Sequence, residues 1–229
     1  MIFTRNFAIS ACWLLLWTPL TYAQDLSRYR EFQLGMALQA VAEKIDARPS
    51  EVRVVHRRPA LIQELEWHPQ RALMSSQQPN SVNDVLFSFY NGELFRMVVS
   101  YDPERTEGLT DQDMMDAISG TYGSGTQPPA KKILFSSSYI YNSSEAVIGR
   151  WEDSLSSLSL FRSSTQPRFG IVVLSKRLDT LAQSAILKAI KLDEQEAPQR
   201  SRDLLKEEIE LARAAHEKAR PTNKADFRP

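Results

Sequence analysis

The sequence predicts an α+β fold: an antiparallel sheet from two helix-plus-hairpin units, followed by a long C-terminal helix. Three observations carry that prediction. Between Asp84 and Asp102, two alternating strand-like runs flank Asn91-Gly92, a dipeptide suited to a two-residue turn whose central positions both need φ > 0. Two glycine-led openings, Gly35-Met36-Ala37 and Gly108-Leu109-Thr110, stand 73 residues apart, and each introduces apolar residues at helical spacing. From Leu178 onward the apolar period becomes helical and the composition turns strongly charged.

The chain opens on a secretory leader over residues 1–23. Arg5 precedes an apolar run from Phe7 to Leu20, and Thr21-Tyr22-Ala23 offers a small-residue cleavage site. That run falls short of the about 20 residues a membrane span needs. The expectation is export, to the periplasm or beyond, with cleavage near Ala23 and no transmembrane segment in the mature chain. Cys12 follows Ile9-Ser10-Ala11 in a lipobox-like setting, yet the apolar run continues past it to Trp17, which favours cleavage after Ala23. The mature chain then has no cysteine, hence no disulfide framework, thiol nucleophile or cysteine metal site. Arg5 is the leader's one charged side chain, so the balance of 28 basic and 28 acidic residues becomes 27 and 28. Such evenness gives no sign of nucleic-acid binding.

Leu34, Met36, Leu38, Val41, Ala42 and Ile45 predict a first helix over Leu34–Ala47, ended by Arg48-Pro49. Strands follow at 52–55 and 61–67, and the polar stretch 70–83 reads as a mobile loop. In the hairpin, Val85, Phe87 and Phe89 oppose Leu86, Ser88 and Tyr90. After the turn Leu94, Arg96, Val98 and Ser100 alternate with Phe95, Met97, Val99 and Tyr101. Thr110 is the expected N-cap of a second helix ending by Gly120, with Asp111 and Asp113 opposing the dipole. Residues 123–132 read as a linker. Strands are expected at 133–135, 146–151, 155–162 and 169–175, the last two forming a second hairpin.

The implied organisation is an α+β domain over 24–197, with halves 24–107 and 108–177 plus a helix 178–197. Pro198 is expected to interrupt that helix. A charged helical arm follows over 198–220 and a disordered tail over 221–229. In the arm, Lys206 and Glu210, and Arg213 and Glu217, are spaced to pair at i,i+4.

Phe32-x-Leu34-Gly35-Met36, with Val41 and Ile45 beyond, resembles the Gly-Met-Thr helix start of the BamE/SmpA-like exported modules. Gly108-Leu109-Thr110 with Met114 and Ile118 is similar. The resemblance implies small α+β units, each a helical pair on an antiparallel sheet. A tandem of such units resembles the β-lactamase inhibitory proteins. It implies a binding module associated with the cell envelope.

Glu64, Glu66 and His68 alternate along one strand and so share a face. With His56 they are the candidate metal ligands, set against the plainer reading of a solvated strand face. Serines at 136–138, 143–144, 156–157 and 163–164 stand in no Gly-x-Ser-x-Gly elbow. Tyr139 and Tyr141, in a polar stretch, and Leu204, Leu205 and Ile209, on the arm, are the candidate partner-binding residues. The reading that follows is an exported non-enzymatic binding or adaptor protein of the bacterial envelope, with a protein partner and no cofactor. The alternatives are an exported hydrolase or metal-dependent enzyme, and an inhibitor of an exported enzyme.

Overall fold

The turn at Asn91-Gly92 closes the central hairpin of the sheet. In the computed structural model, which describes residues 25–69, 81–128, 132–134, 144–163 and 168–226, Asn91 (φ 50°) and Gly92 (φ 83°) join β5 (Val82–Tyr90) to β6 (Glu93–Tyr101). With β3 (Arg53–His56), β4 (Ile62–Trp67), β7 (Lys132–Leu134), β8 (Ser144–Glu152), β9 (Ser156–Arg162) and β10 (Phe169–Ser175) they form an eight-stranded sheet. Its order is β3-β4-β5-β6-β10-β9-β8-β7, and every neighbouring pair is antiparallel. Two four-stranded meanders thus meet at β6 and β10, where Val98 pairs with Val172. A separate small sheet joins β1 (Arg28–Tyr29) to β2 (Phe32–Gln33).

The helices are α1 (Leu38–Lys44), α2 (Pro103–Thr106), α3 (Asp111–Tyr122) and α4 (Lys176–Asp226). A shift of 73 residues carries Gly35 (φ 90°) onto Gly108 (φ 79°) and the N-cap Ala37 onto the N-cap Thr110. It also carries Val41 onto Met114, both buried. The two caps differ in chemistry. Thr110 and Asp113 form a reciprocal capping box, whereas Ala37 has no side-chain acceptor to offer.

Several elements differ from their predicted bounds, and four of these differences have a plain local setting. The first helix begins only at Leu38. The N–H of Leu34 already donates to Ser27 O and that of Gly35 to Leu94 O, so this backbone is committed to the sheets. The second helix runs past Gly120 to Tyr122 and stops where Gly123 (φ 86°) turns the chain, its N–H donating to Ser119 O. A β-bulge leaves one extra residue, Phe95, between the pairs Ser88↔Arg96 and Phe89↔Leu94. Leu94 therefore joins the face of Met97 and Val99, while Phe95 joins Arg96 and Val98 on the other. Finally, α4 is continuous through Pro198 and Pro221 and extends to Asp226, into the stretch read as tail. Arg200 donates to the Asp193 carbonyl and carboxylate close to Pro198, where a proline deprives the helix of an N–H.

The sheet is covered on both faces. On one, Val85, Phe87, Met97, Val99, Leu158, Leu160, Ile171 and Val173 pack with Phe32, Val41, Met114, Met115, Ile118 and Tyr122. This is the main core, and each large side chain removed from water there stabilises the fold by about 1.5–3 kcal/mol. On the other, Leu178, Ala182 and Ile186 of α4 pack on Ile62 and Phe95. Leu86, Val98, Phe161 and Val172 form a second cluster on the sheet beside them. Trp151 is buried in the main core and Trp67 packs at its margin, edge-on to Phe32.

Candidate functional site

The register decides what stands on the α4 face. Reading across the sheet, Arg53 pairs with Glu64, Glu64 with Ser88, Ser88 with Arg96, Arg96 with Leu174, Leu174 with Ser157, and Ser157 with Glu152. The next row runs Leu86, Val98, Val172, Ser159 and Arg150. Charged and hydroxyl side chains thus lie over apolar strands that α4 crosses.

A groove of about 440 Å³ opens between these rows and the first two turns of α4. Its floor is Val172, Leu174, Ser157 and Ser159; Arg96, Arg150 and Glu152 stand at its sides, and Lys176, Asp179, Thr180 and Gln183 reach in from the helix. Arg96 is 7% exposed and forms an ion pair with Asp179. Lys176 Nζ lies 3.0 Å from Glu152 Oε2 and donates to Asp153 O at 2.6 Å. Arg150 has no ion pair among the described residues. The Nε atoms of Arg96 and Arg150 are both buried without a hydrogen-bond acceptor. A larger hollow of about 630 Å³, beside α1, has an apolar lining of Leu38, Ala42, Ala47, Pro49 and Val52 joined by Gln39, Gln63 and the carboxylates of Glu43 and Asp46, with no cation among them.

No family model matches this chain, and comparison with curated proteins and with solved structures finds no match.

The candidate metal ligands do share the α4 face but do not converge. Glu64 is buried and ion-paired with Arg53. Glu66 and His68 stand 3.3 Å apart at an exposed margin. His56 pairs with Ile62, six residues from His68 along β4, or about 20 Å at the rise of an extended strand. Among the described residues, no group of three or more His, Cys, Asp or Glu side chains could hold a metal ion. Ser156 and Ser157 lie on β9, four strand spacings or about 19 Å from β4, so neither meets His68. Tyr139 and Tyr141 fall outside the described residues.

The arm residues are where the periodicity placed them, on a helix. Leu204, Leu205, Ile209 and Leu211 are 57–67% exposed, and every described side chain from 197 to 221 is exposed. Glu196 marks the last anchored turn, through its ion pair with Arg58. Arg213 pairs with Glu217 at 3.2 Å as the spacing predicted, whereas Lys206 approaches Asp203 at 3.7 Å rather than Glu210.

Sequence reasoning missed the groove. Its one local signal was Arg96, a cation inside the apolar run Leu94-Phe95-Arg96-Met97-Val98-Val99. A charge in such a run needs a partner across space, and here Asp179 supplies it from 83 residues away.

Proposed function

We propose that the protein is an exported, non-enzymatic binding or adaptor protein of the bacterial envelope. In this reading it is assembled from two related α+β units and meets a protein partner along the outer part of α4. The observation that carries the proposal is the arm itself. A helix of 51 residues spans about 76 Å, and its side chains from 197 to 221 are all exposed, Leu204, Leu205, Ile209 and Leu211 among them. A solvated helix gains nothing from large apolar side chains, whereas helix-in-groove recognition uses them as anchors. The two-unit reading is supported by the 73-residue correspondence of the helix starts and by the meanders that meet at β6 and β10. Both agree with the BamE/SmpA-like resemblance.

The test is crosslinking of the tagged full-length protein in its native envelope, followed by mass spectrometry. A specific protein crosslinked through 199–221, and lost on deletion of 199–229, is the expected result. Crosslinks confined to the region of Tyr139 and Tyr141 favour the inhibitor alternative, in which loops carry the contact. A mature N-terminus at Gln24 in the exported fraction is the matching result for the leader. An uncleaved chain in the cytosol overturns the placement.

A further inference from the structure

The groove between α4 and the sheet is independent of the arm and has its own chemistry. Three cationic side chains, Arg96, Arg150 and Lys176, meet two carboxylates, Glu152 and Asp179, so the lining keeps one positive charge in excess. Two of the cations are committed: Arg96 to Asp179, and Lys176 to Glu152. The excess therefore rests on Arg150. Its Nε is buried and has no acceptor, as is the Nε of the nine-tenths-buried Arg96. Those Nε atoms are closed off from the groove, so what a ligand there meets is the rest of the Arg150 guanidinium, which has no ion pair among the described residues to neutralise it. Ser159, the cross-strand neighbour of Arg150, is 5% exposed, and Ser157 is 8% exposed. Neither hydroxyl makes a side-chain hydrogen bond among the described residues. Unspent guanidinium donors beside two free hydroxyls, over an apolar floor, are the groups that recognise an oxyanion. The volume falls within the lower range of small-molecule sites.

We infer that this groove is a binding site for a small oxyanion-bearing molecule, a carboxylate or phosphate whose charge sits on Arg150 and whose remaining oxygens accept from Ser157 and Ser159. Val172 and Leu174 pack under its apolar part, and Gln183 and Thr180 offer polar contacts from the helix. Arg96 and Lys176, held by their carboxylates, set the walls and add field rather than the primary charge. The paired Asp179 and Glu152 exclude ligands of high negative charge, so a monoanionic group suits the site better than a polyphosphate.

Isothermal titration of the full-length protein with butyrate, a monocarboxylate with an apolar tail, and with inorganic phosphate, each against chloride at equal ionic strength, tests the inference. Saturable binding of at least one probe is expected, and the tighter probe identifies the anion class. Arg150→Gln should weaken that binding by about tenfold, the equivalent of one charge-assisted hydrogen bond. The double variant Ser157→Ala/Ser159→Ala removes no charge and guards against a folding defect in the first; it should weaken binding several-fold with an unchanged melting temperature. No saturable heat from either anion overturns the site. Binding undiminished in both variants overturns it equally.

Discussion

At the scale of single residues, the N-caps of α1 and α3 have similar extended backbone and different chemistry. Thr110 Oγ1 caps α3 by accepting from the Asp113 N–H at 3.2 Å, and Asp113 Oδ2 in turn accepts from the Thr110 N–H at 2.8 Å. Those bonds to Thr110 also hold the Asp113 carboxyl below its usual range. Ala37 occupies the matching cap of α1 with extended backbone and nothing to accept with. Thr110→Ala is therefore expected to cost about 1 kcal/mol, and Ala37→Thr to gain up to about 1 kcal/mol, because Ala37 is exposed and a hydroxyl there can reach an orphan N–H. Urea midpoints of the two variants, moving in opposite directions, check this. Arg96 and Asp179 present the opposite case, an interaction whose loss leaves a charge stranded. Arg96→Met strands an Asp179 that keeps 22% of its side chain in water, so a cost of about 2–3 kcal/mol is expected, below the range for a fully buried pair. In a double-mutant cycle with Asp179→Leu, the two losses should add to much more than the double variant loses.

At the scale of elements, the hairpin was legible because period-two alternation and Asn91-Gly92 are both local signals. The groove was not, because Arg96, Arg150 and Asp179 sit singly on three elements. They meet only once β10 is inserted beside β6, a choice no stretch of sequence announces. The bulge at Phe95 escaped for a related reason: a strict alternation cannot reveal where one residue is extra. The start of α4 was misplaced by two residues because strand β10 passes into it at Lys176 with no loop between. One junction makes a testable claim. Tyr29 of β1, Tyr101 of β6 and Tyr122 at the end of α3 are all buried, and the Tyr122 hydroxyl donates to Arg28 O at 3.0 Å. Burial, and then the neighbouring Tyr29, push the Tyr122 phenol up to about 12. Burial pushes Tyr101 well above its usual value, with smaller contributions from Tyr29 and Tyr122. Burial also raises Tyr29, partly opposed by Arg30. The native state thus keeps these protons to higher pH than the unfolded chain, whose phenols titrate near 10. Their contribution is complete below about pH 10 and is lost as the pH rises toward 12. Melting temperature should fall across that window, and Tyr122→Phe should flatten the fall while lowering stability at neutral pH. A melting temperature constant from pH 9 to 12 would refute the cluster's role.

At the scale of the whole molecule, stability and reach belong to different parts of one helix. Leu178, Ala182, Ala185, Ile186 and Ala189 bury the first turns of α4 against the sheet, and Arg58 holds Glu196. Beyond that point every described side chain is exposed. A helix without tertiary contacts stands on propensity and i,i+4 pairs worth a few tenths of a kcal/mol each, such as Arg213 with Glu217. Deleting residues 199–229 should therefore leave the melting temperature of the sheet domain within about 2 °C of the parent, since nothing that packs is removed. Far-UV helicity should fall steeply, because the deleted stretch is more than half of α4. Extending the deletion to residue 185 removes Ala185, Ile186 and Ala189 and exposes the surface around Ile62 and Phe95; that variant should lose several kcal/mol. If the shorter deletion also lowered the melting temperature substantially, the arm would have to pack on the body in solution. A partner-seeking role for Leu204, Leu205 and Ile209 would then give way to an internal one.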